Sequence, residues 1–347
     1  MKYTILPNSD LKVSKICLGT MGYGDQVSET DAYDQMNMAL EMGVNFIDTA
    51  EMYAVPPKAE TYGATEEIIG RWFNKIGKRK DVVLASKVFG PARYSHVRDG
   101  NLHLDMNNIQ LAVDSSLQRL QTDVIDLYQL HWPERSFNAA FGTRGFQMGD
   151  ETEAVAIEET LTALKEIHQS GKVRYFGLSN ETPWGTMEFL RLAREQDLPV
   201  MVSVQNPYSL LNRHYEIGMS EISLREDIPL LAYSPLGFGV LGGRYFDGNM
   251  PEGGRFTRHP EFAARYREEH VLQICKQYAE LASKYDLSLA QLSLAFVNSQ
   301  SFVASNIIGA SNLDQLKENI ESIDIDLSEE ILEALELVHE RYPNPVA

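Results

Sequence analysis

Eight short apolar runs recur along the chain, and their spacing restricts the fold more than any other feature. They are KICLG at 15–19, GVNFID at 43–48, DVVLASK at 81–87, DVIDLYQLH at 123–131, KVRYFGLSN at 172–180, PVMVSVQN at 199–206, IPLLAYSPLG at 228–237 and FVASNIIGAS at 302–311. Their richness in Val, Ile and Leu is the mark of parallel strands buried on both faces. Amphipathic stretches separate them. One begins at Thr65, carries Ile68, Ile69, Trp72 and Ile76 on one stripe and stops at Gly77; another carries Ile157, Leu161, Leu164 and Ile167 and stops at Gly171. A 3.6-residue period ended by glycine predicts a helix. SETD at 28–31 has capping-box spacing and marks a third helix start. Eight strand–helix repeats predict an α/β fold, a (β/α)8 TIM barrel. Before them, Pro7-Asn8-Ser9-Asp10 is a turn signal between two short strands, which predicts an N-terminal hairpin closing the barrel bottom. A last helix is expected over 328–340.

The chain has 347 residues. Length alone would suggest two domains, but α/β barrels run well past 200 residues as one. No linker or low-complexity segment interrupts the repeats, so a single domain over 1–347 is expected. The net charge of −18 argues against nucleic acid, which needs a basic face, and against anionic membranes. No apolar run is long enough to span a bilayer, and the start, MKYTILPNSD, lacks a signal core. The two cysteines, Cys17 and Cys275, have no paired spacing. A cytoplasmic, reducing setting is the expectation. The histidines are not arranged as metal ligands.

The strand ends carry the chemistry. The second ends on Asp48, the third on Lys87, the fourth on His131, the fifth on Ser179-Asn180, the sixth on Gln205-Asn206 and the seventh on Tyr233-Ser234. In a barrel these converge on one mouth, where such enzymes keep their sites. A carboxylate ending a buried strand needs a partner. Asp48 could merely cap a helix, but Lys87 on the neighbouring strand is a natural counter-charge, and Tyr53 follows five residues later. A cation a few ångströms away lowers an acidic group's pKa by roughly 1–3 units, which would make Tyr53 a usable proton donor near neutrality. His131 can hydrogen-bond a carbonyl oxygen and orient it. Proton delivery to oxygen implies hydride delivery to carbon, which no side chain performs, so a nicotinamide is implied.

Ser179, Asn180 and Gln205 suit a carboxamide, and Tyr233 offers a ring face for stacking. The segment 243–267 holds five arginines against three acids, an excess that a pyrophosphate or a phosphate would explain. GASNLDQLKEN at 309–319 puts small residues at a helix N-terminus, a site for phosphate. Three long connections, 88–106, 132–152 and 236–266, follow strands and should frame a substrate pocket, with Arg93, Phe137 and Phe141 as candidate contacts.

GVNFIDTAEMY, LASKV, DLYQLHWP, GKVRYFGLSN, QNPYSLLNR and LLAYSPLGFGVLGGRY together resemble the aldo-keto reductases over about residues 3–340. AEMYAVPP, SNETPWG and QNPYSLLNR are most similar to the bacterial Tas-type branch. The resemblance implies a (β/α)8 barrel, NADP(H) and reduction of a small-molecule aldehyde or ketone by a Tyr–Lys–His–Asp tetrad. It puts the proton donor on Tyr53 and the other three members on Lys87, His131 and Asp48. It puts carboxamide contacts on Ser179, Asn180 and Gln205, and ring stacking on Tyr233. Further cofactor contacts fall on Thr20 and Met21. The pyrophosphate loop falls on Ser234, Pro235, Leu236, Gly237, Phe238, Gly239, Val240, Leu241, Gly242, Gly243 and Arg244, with Arg255 beyond it. Many members bind the 2′-phosphate with a Lys and an Arg where this chain has Gly309 and Gln315. Here the segment resembles the branch containing the potassium-channel β subunits, which implies Ser311, Gln315 and Asn319 for that task. NADPH is therefore expected ahead of NADH. Some relatives of this fold are regulatory subunits that sense NADP(H), the alternative to an enzyme.

Overall fold

The computed structural model describes residues 1–91, 95–135, 154–261 and 263–346. Among the described residues ten strands run in chain order: β1 Tyr3–Ile5, β2 Lys12–Ser14, β3 Ile16–Gly19, β4 Phe46–Asp48, β5 Val83–Val88, β6 Ile125–Leu130, β7 Val173–Ser179, β8 Met201–Pro207, β9 Leu230–Tyr233 and β10 Val303–Ile308. β3 to β10 form a closed barrel, β10 pairing with both β9 and β3, and each pairing is parallel. The helices are α1 Glu29–Glu41, α2 Ala64–Ile76, α3 Met106–Leu120, α4 Ile157–Gln169, α5 Pro183–Gln196, α6 Met219–Arg225, α7 Arg255–Arg258, α8 Glu269–Lys284, α9 Leu289–Ser299, α10 Leu313–Glu321 and α11 Glu329–Arg341. This is the expected (β/α)8 architecture.

Local chemistry explains the boundaries. Ser28 caps α1, its side chain accepting from the Asp31 N–H at 3.2 Å. Gly77 ends α2 with φ 64°, a left-handed conformation that suits glycine. The stripe of Ile68, Ile69 and Trp72 is buried as its period requires. Helices α2 and α3 approach so closely that a Cβ on Gly70 would lie 2.8 Å from the Leu120 carbonyl carbon.

β1 and β2 pair antiparallel with Thr4 opposite Val13, and Asn8 turns the chain at φ 57°. Leu6, Leu11 and Val13 are buried in one cluster with Cys17, Phe46, Ala85, Leu127, Val202 and Leu231 from the barrel strands. The hairpin therefore stoppers the barrel interior from below, as anticipated. Several strands stop short of the apolar runs that announced them. Asn180 (φ 54°) and Ser234 (φ 55°) leave extended geometry just past β7 and β9. These turns aim the strand-end side chains across the mouth instead of along the ladder. Among the described residues no helix is long and apolar enough to cross a membrane.

Candidate active site

Lys87, on β5, is fully buried. An ammonium has three protons to give, and each has an acceptor here: Asp48 Oδ2 at 2.6 Å, the Thr49 carbonyl at 2.8 Å and the Tyr53 hydroxyl oxygen at 3.3 Å. Asp48, on β4, is as well supported. Its second oxygen accepts from Gln129 Nε2 at 3.1 Å and Gln205 Nε2 at 2.8 Å. A buried ion pair survives desolvation when its remaining hydrogen-bonding capacity is met in this way. Because Lys87 donates to the phenol oxygen, the phenol's own hydrogen is left to point elsewhere.

His131 lies edge-on to Tyr53, ring centroids 5.9 Å apart at 78°. Its carbonyl accepts from Asn180 Nδ2 at 2.9 Å, and its Nδ1 is buried with no partner among the described residues. Burial, and then the Lys87 charge, hold its pKa well below the usual histidine range, so the imidazole is neutral. For Lys87, burial disfavours the charge, but Asp48 and Tyr53 outweigh it and raise its pKa. Tyr53 corrects an expectation. Burial raises its pKa by more than Lys87 lowers it, with Asp48 adding to the rise. The phenol is only 8% exposed, and a phenolate there would lose hydration that a single cation does not replace. Tyr53 is a protonated phenol in this state, not an acidified one.

The tetrad opens on a cavity of about 790 Å³. Tyr53, Asp48 and His131 line it, as do Thr20, Met21, Ser179, Asn180, Gln205 and Tyr233. The short polar side chains are interlocked. Ser179 donates to the Gln205 carbonyl at 2.9 Å, and the Tyr233 hydroxyl donates to Asn180 Oδ1 at 2.7 Å. Gln205 commits its amide nitrogen to Asp48 and Gln129, so its oxygen is the end left to meet a ligand. From the loop after β9, Ser234, Pro235, Leu236, Phe238, Gly239, Gly242 and Arg244 line the cavity. Gly237, Val240, Leu241 and Gly243 do not; Val240 and Leu241 face the core and hold the loop down. At the far end stand Gly309, Ser311, Gln315 and Asn319. Asn319 Nδ2 donates to the Gly309 carbonyl at 3.1 Å, and Gln315 Oε1 accepts from the Ser311 N–H at 3.1 Å.

Three of the five loop arginines, Arg244, Arg255 and Arg265, line the cavity. Arg255 is the most informative. Burial pushes its pKa down to about 10, its Nε donates to Gln26 Oε1 at 3.3 Å, and no carboxylate pairs with it among the described residues. Nearby, His259 Nε2 meets Asp25 Oδ2 at 3.0 Å. These contacts hold the loop after β9 against the loop after β3, across the cavity. Met52, Val55, Pro57, Pro91 and Trp132 form an apolar wall beside Tyr53. Arg93, Phe137 and Phe141 lie outside the described residues.

Gln129 escaped the reading of strand ends because it sits one turn of the pleat below His131. Its signal was a polar side chain inside the apolar run DVIDLYQLH. The buried Arg98–Glu51 pair (2.7 Å) and the Arg135–Glu181 pair were also not foreseen, since each joins loops far apart in sequence.

Residues 15–340 match the model of the aldo/keto reductase family. The chain is 48% identical to Protein tas of Escherichia coli, with 99% of each chain covered. It is 31% identical to the aldo-keto reductase yakc [NADP(+)] of Schizosaccharomyces pombe, covering 94% of this chain and 90% of that one. It is 29% identical to a probable voltage-gated potassium channel subunit beta of Oryza sativa, covering 99% and 98%.

Proposed function

The chain belongs to the aldo/keto reductase family, and on that premise we propose that it reduces an aldehyde or ketone to an alcohol with NADPH, Tyr53 supplying the proton. The observation that carries this reading is the buried ammonium of Lys87 placed between Asp48 and the Tyr53 hydroxyl, at the mouth of a cavity sized for a large ligand.

The cavity's residues fit the dinucleotide. Arg255, a half-buried cation with no carboxylate partner among the described residues, suits its pyrophosphate together with Arg244. Ser311, Gln315 and Asn319 suit the 2′-phosphate. Gln205 suits the carboxamide and Tyr233 the ring. When bound, the cofactor supplies hydride to the carbonyl carbon. The protein's own work is on the oxygen. Tyr53 donates its free hydrogen towards the carbonyl oxygen, and neutral His131 holds that oxygen from the side. As the proton leaves, the Lys87 ammonium at 3.3 Å stabilises the phenolate that forms, which is the moment the charge is needed. Asp48, Gln129 and Gln205 keep the ammonium in place. A donor with a raised pKa stays protonated through neutral pH, so reduction should lose rate only on the alkaline side.

Fluorescence titration with NADPH and NADH, then a carbonyl panel followed at the cofactor's absorbance, tests the proposal. Tighter binding of NADPH and its oxidation by an aldehyde are expected. Tight retention with no oxidation by any carbonyl would favour instead a regulatory subunit that senses NADP(H), the alternative to an enzyme.

A further inference from the structure

One set of buried charges has no part in the chemistry above, and it surrounds Lys87. Glu51 lies between Asp48 and Tyr53 in sequence and is fully buried. Its carboxylate accepts from the Phe89 N–H at 2.5 Å, from the Tyr62 hydroxyl at 3.0 Å, and from Arg98 Nη1, which is 2.7 Å from both oxygens. Arg98 Nη2 donates to the Phe89 carbonyl at 2.6 Å. The pair therefore grips both backbone polar groups of Phe89, two residues past Lys87. The Glu51 N–H also donates to the Lys87 carbonyl at 3.3 Å, tying the segment that bears Tyr53 to the strand that bears Lys87. On the other side of Lys87, the Ser86 hydroxyl donates to Glu66 at 2.5 Å, and Arg119 holds Glu66 at 2.8 Å.

Arg98 reaches this position through a backbone that side-chain-bearing residues rarely adopt. Arg98 and Asp99 have φ of 41° and 55°. Two such residues in succession persist only where surrounding contacts hold them. A buried ion pair is weak evidence of added stability by itself, since apolar packing often does as well. What this pair does that apolar packing could not is fix backbone direction on both sides of a reacting pair.

We propose that Arg98 and Glu51 are positioning residues that set the 3.3 Å contact between the Lys87 ammonium and the Tyr53 hydroxyl, and so the readiness of Tyr53 to give up its proton. The inference rests on Tyr53 being the donor. Among the described residues, the charged and titratable groups facing Tyr53 are Lys87 from β5, Asp48 from β4, His131 beyond β6, Tyr233 from β9 and Arg255 from α7. Of these, Lys87 makes a hydrogen bond to it, and that contact is the one the pair controls.

The test compares wild type, Tyr53→Phe, Arg98→Lys and Tyr62→Phe in single-turnover oxidation of bound NADPH by para-nitrobenzaldehyde across pH. Rates are taken per cofactor-binding site, counted by fluorescence titration, so unfolded molecules do not enter. Lysine keeps the charge but cannot bridge two carboxylate oxygens and a carbonyl at once. Arg98→Lys should keep NADPH affinity within about twofold and slow the single turnover roughly ten- to hundredfold. Its alkaline limb should move to higher pH, because a phenol further from Lys87 is less acidic. Tyr62→Phe should move the limb the same way by less, and it reads the same contact should Arg98→Lys fail to fold. A wild-type rate and limb in these variants, with Tyr53→Phe inactive, overturns the positioning role alone. A slower rate with an unmoved limb also overturns it, since a loss of general integrity would do that. An active Tyr53→Phe overturns the donor assignment instead.

Discussion

His131 shows how one side chain ties the proposed site to stability. Burial and Lys87 depress its pKa, so the folded state holds it neutral while the unfolded chain protonates it near pH 6.5. The sign follows directly: the unfolded state takes up the proton first as pH falls. The contribution of His131 is complete above about pH 6.5 and is lost as pH falls towards its depressed folded value, at up to about 1.4 kcal/mol per pH unit. His131→Gln should flatten the dependence of unfolding free energy on pH in that window, measured by urea denaturation at a series of pH values. An unchanged slope would mean the imidazole is not the group concerned. Tyr53 shows the limit of reading residues from sequence. That Asp48, Lys87, Tyr53 and His131 would meet was legible, because strand ends converge at a barrel mouth. The direction of the Tyr53 shift was not, because it depends on burial depth, set by Met52, Val55 and the loops around them.

At the scale of elements, the eight barrel strands announced themselves because a strand covered on both faces has no polar alternation to confuse it with a surface strand. Their ends were less legible. Asn180 and Ser234 turn at positive φ, and nothing in SNE or YSP requires that. The pairs Arg98–Glu51 and Arg135–Glu181 depend on the paths of loops, which carry no period. The close approach of α2 to α3 was equally hidden, since Gly70 sits in a good helical pattern. Gly70→Ala, which elsewhere in a helix would be favourable, should here destabilise by about 1–3 kcal/mol through overpacking against Arg119 and Leu120. Chemical denaturation reads this. A variant more stable than wild type would show that the helices can separate without cost.

For the whole molecule, the barrel is finished at opposite ends in opposite ways. Below, Leu6, Leu11 and Val13 fill the interior with hydrocarbon. Above, among the described residues, the mouth carries an ion pair, amides and four arginines, Arg135, Arg244, Arg255 and Arg265, in a chain of net charge −18. Those arginines suit the anionic ligand proposed above, despite the acidic balance of the chain as a whole. The hairpin should act through stability and not through the mouth. Leu6→Ala should cost about 2–5 kcal/mol while leaving NADPH affinity of the folded protein unchanged; a selective loss of affinity would contradict that separation. The claim on which the rest depends is that the Tyr53 hydroxyl, and no other group, delivers the proton beside Lys87. The most direct measurement is the single-turnover rate of Tyr53→Phe with NADPH already bound. The account expects binding equal to wild type and a rate lower by about 10²–10⁴-fold. Carbonyl reduction at the wild-type rate would contradict it.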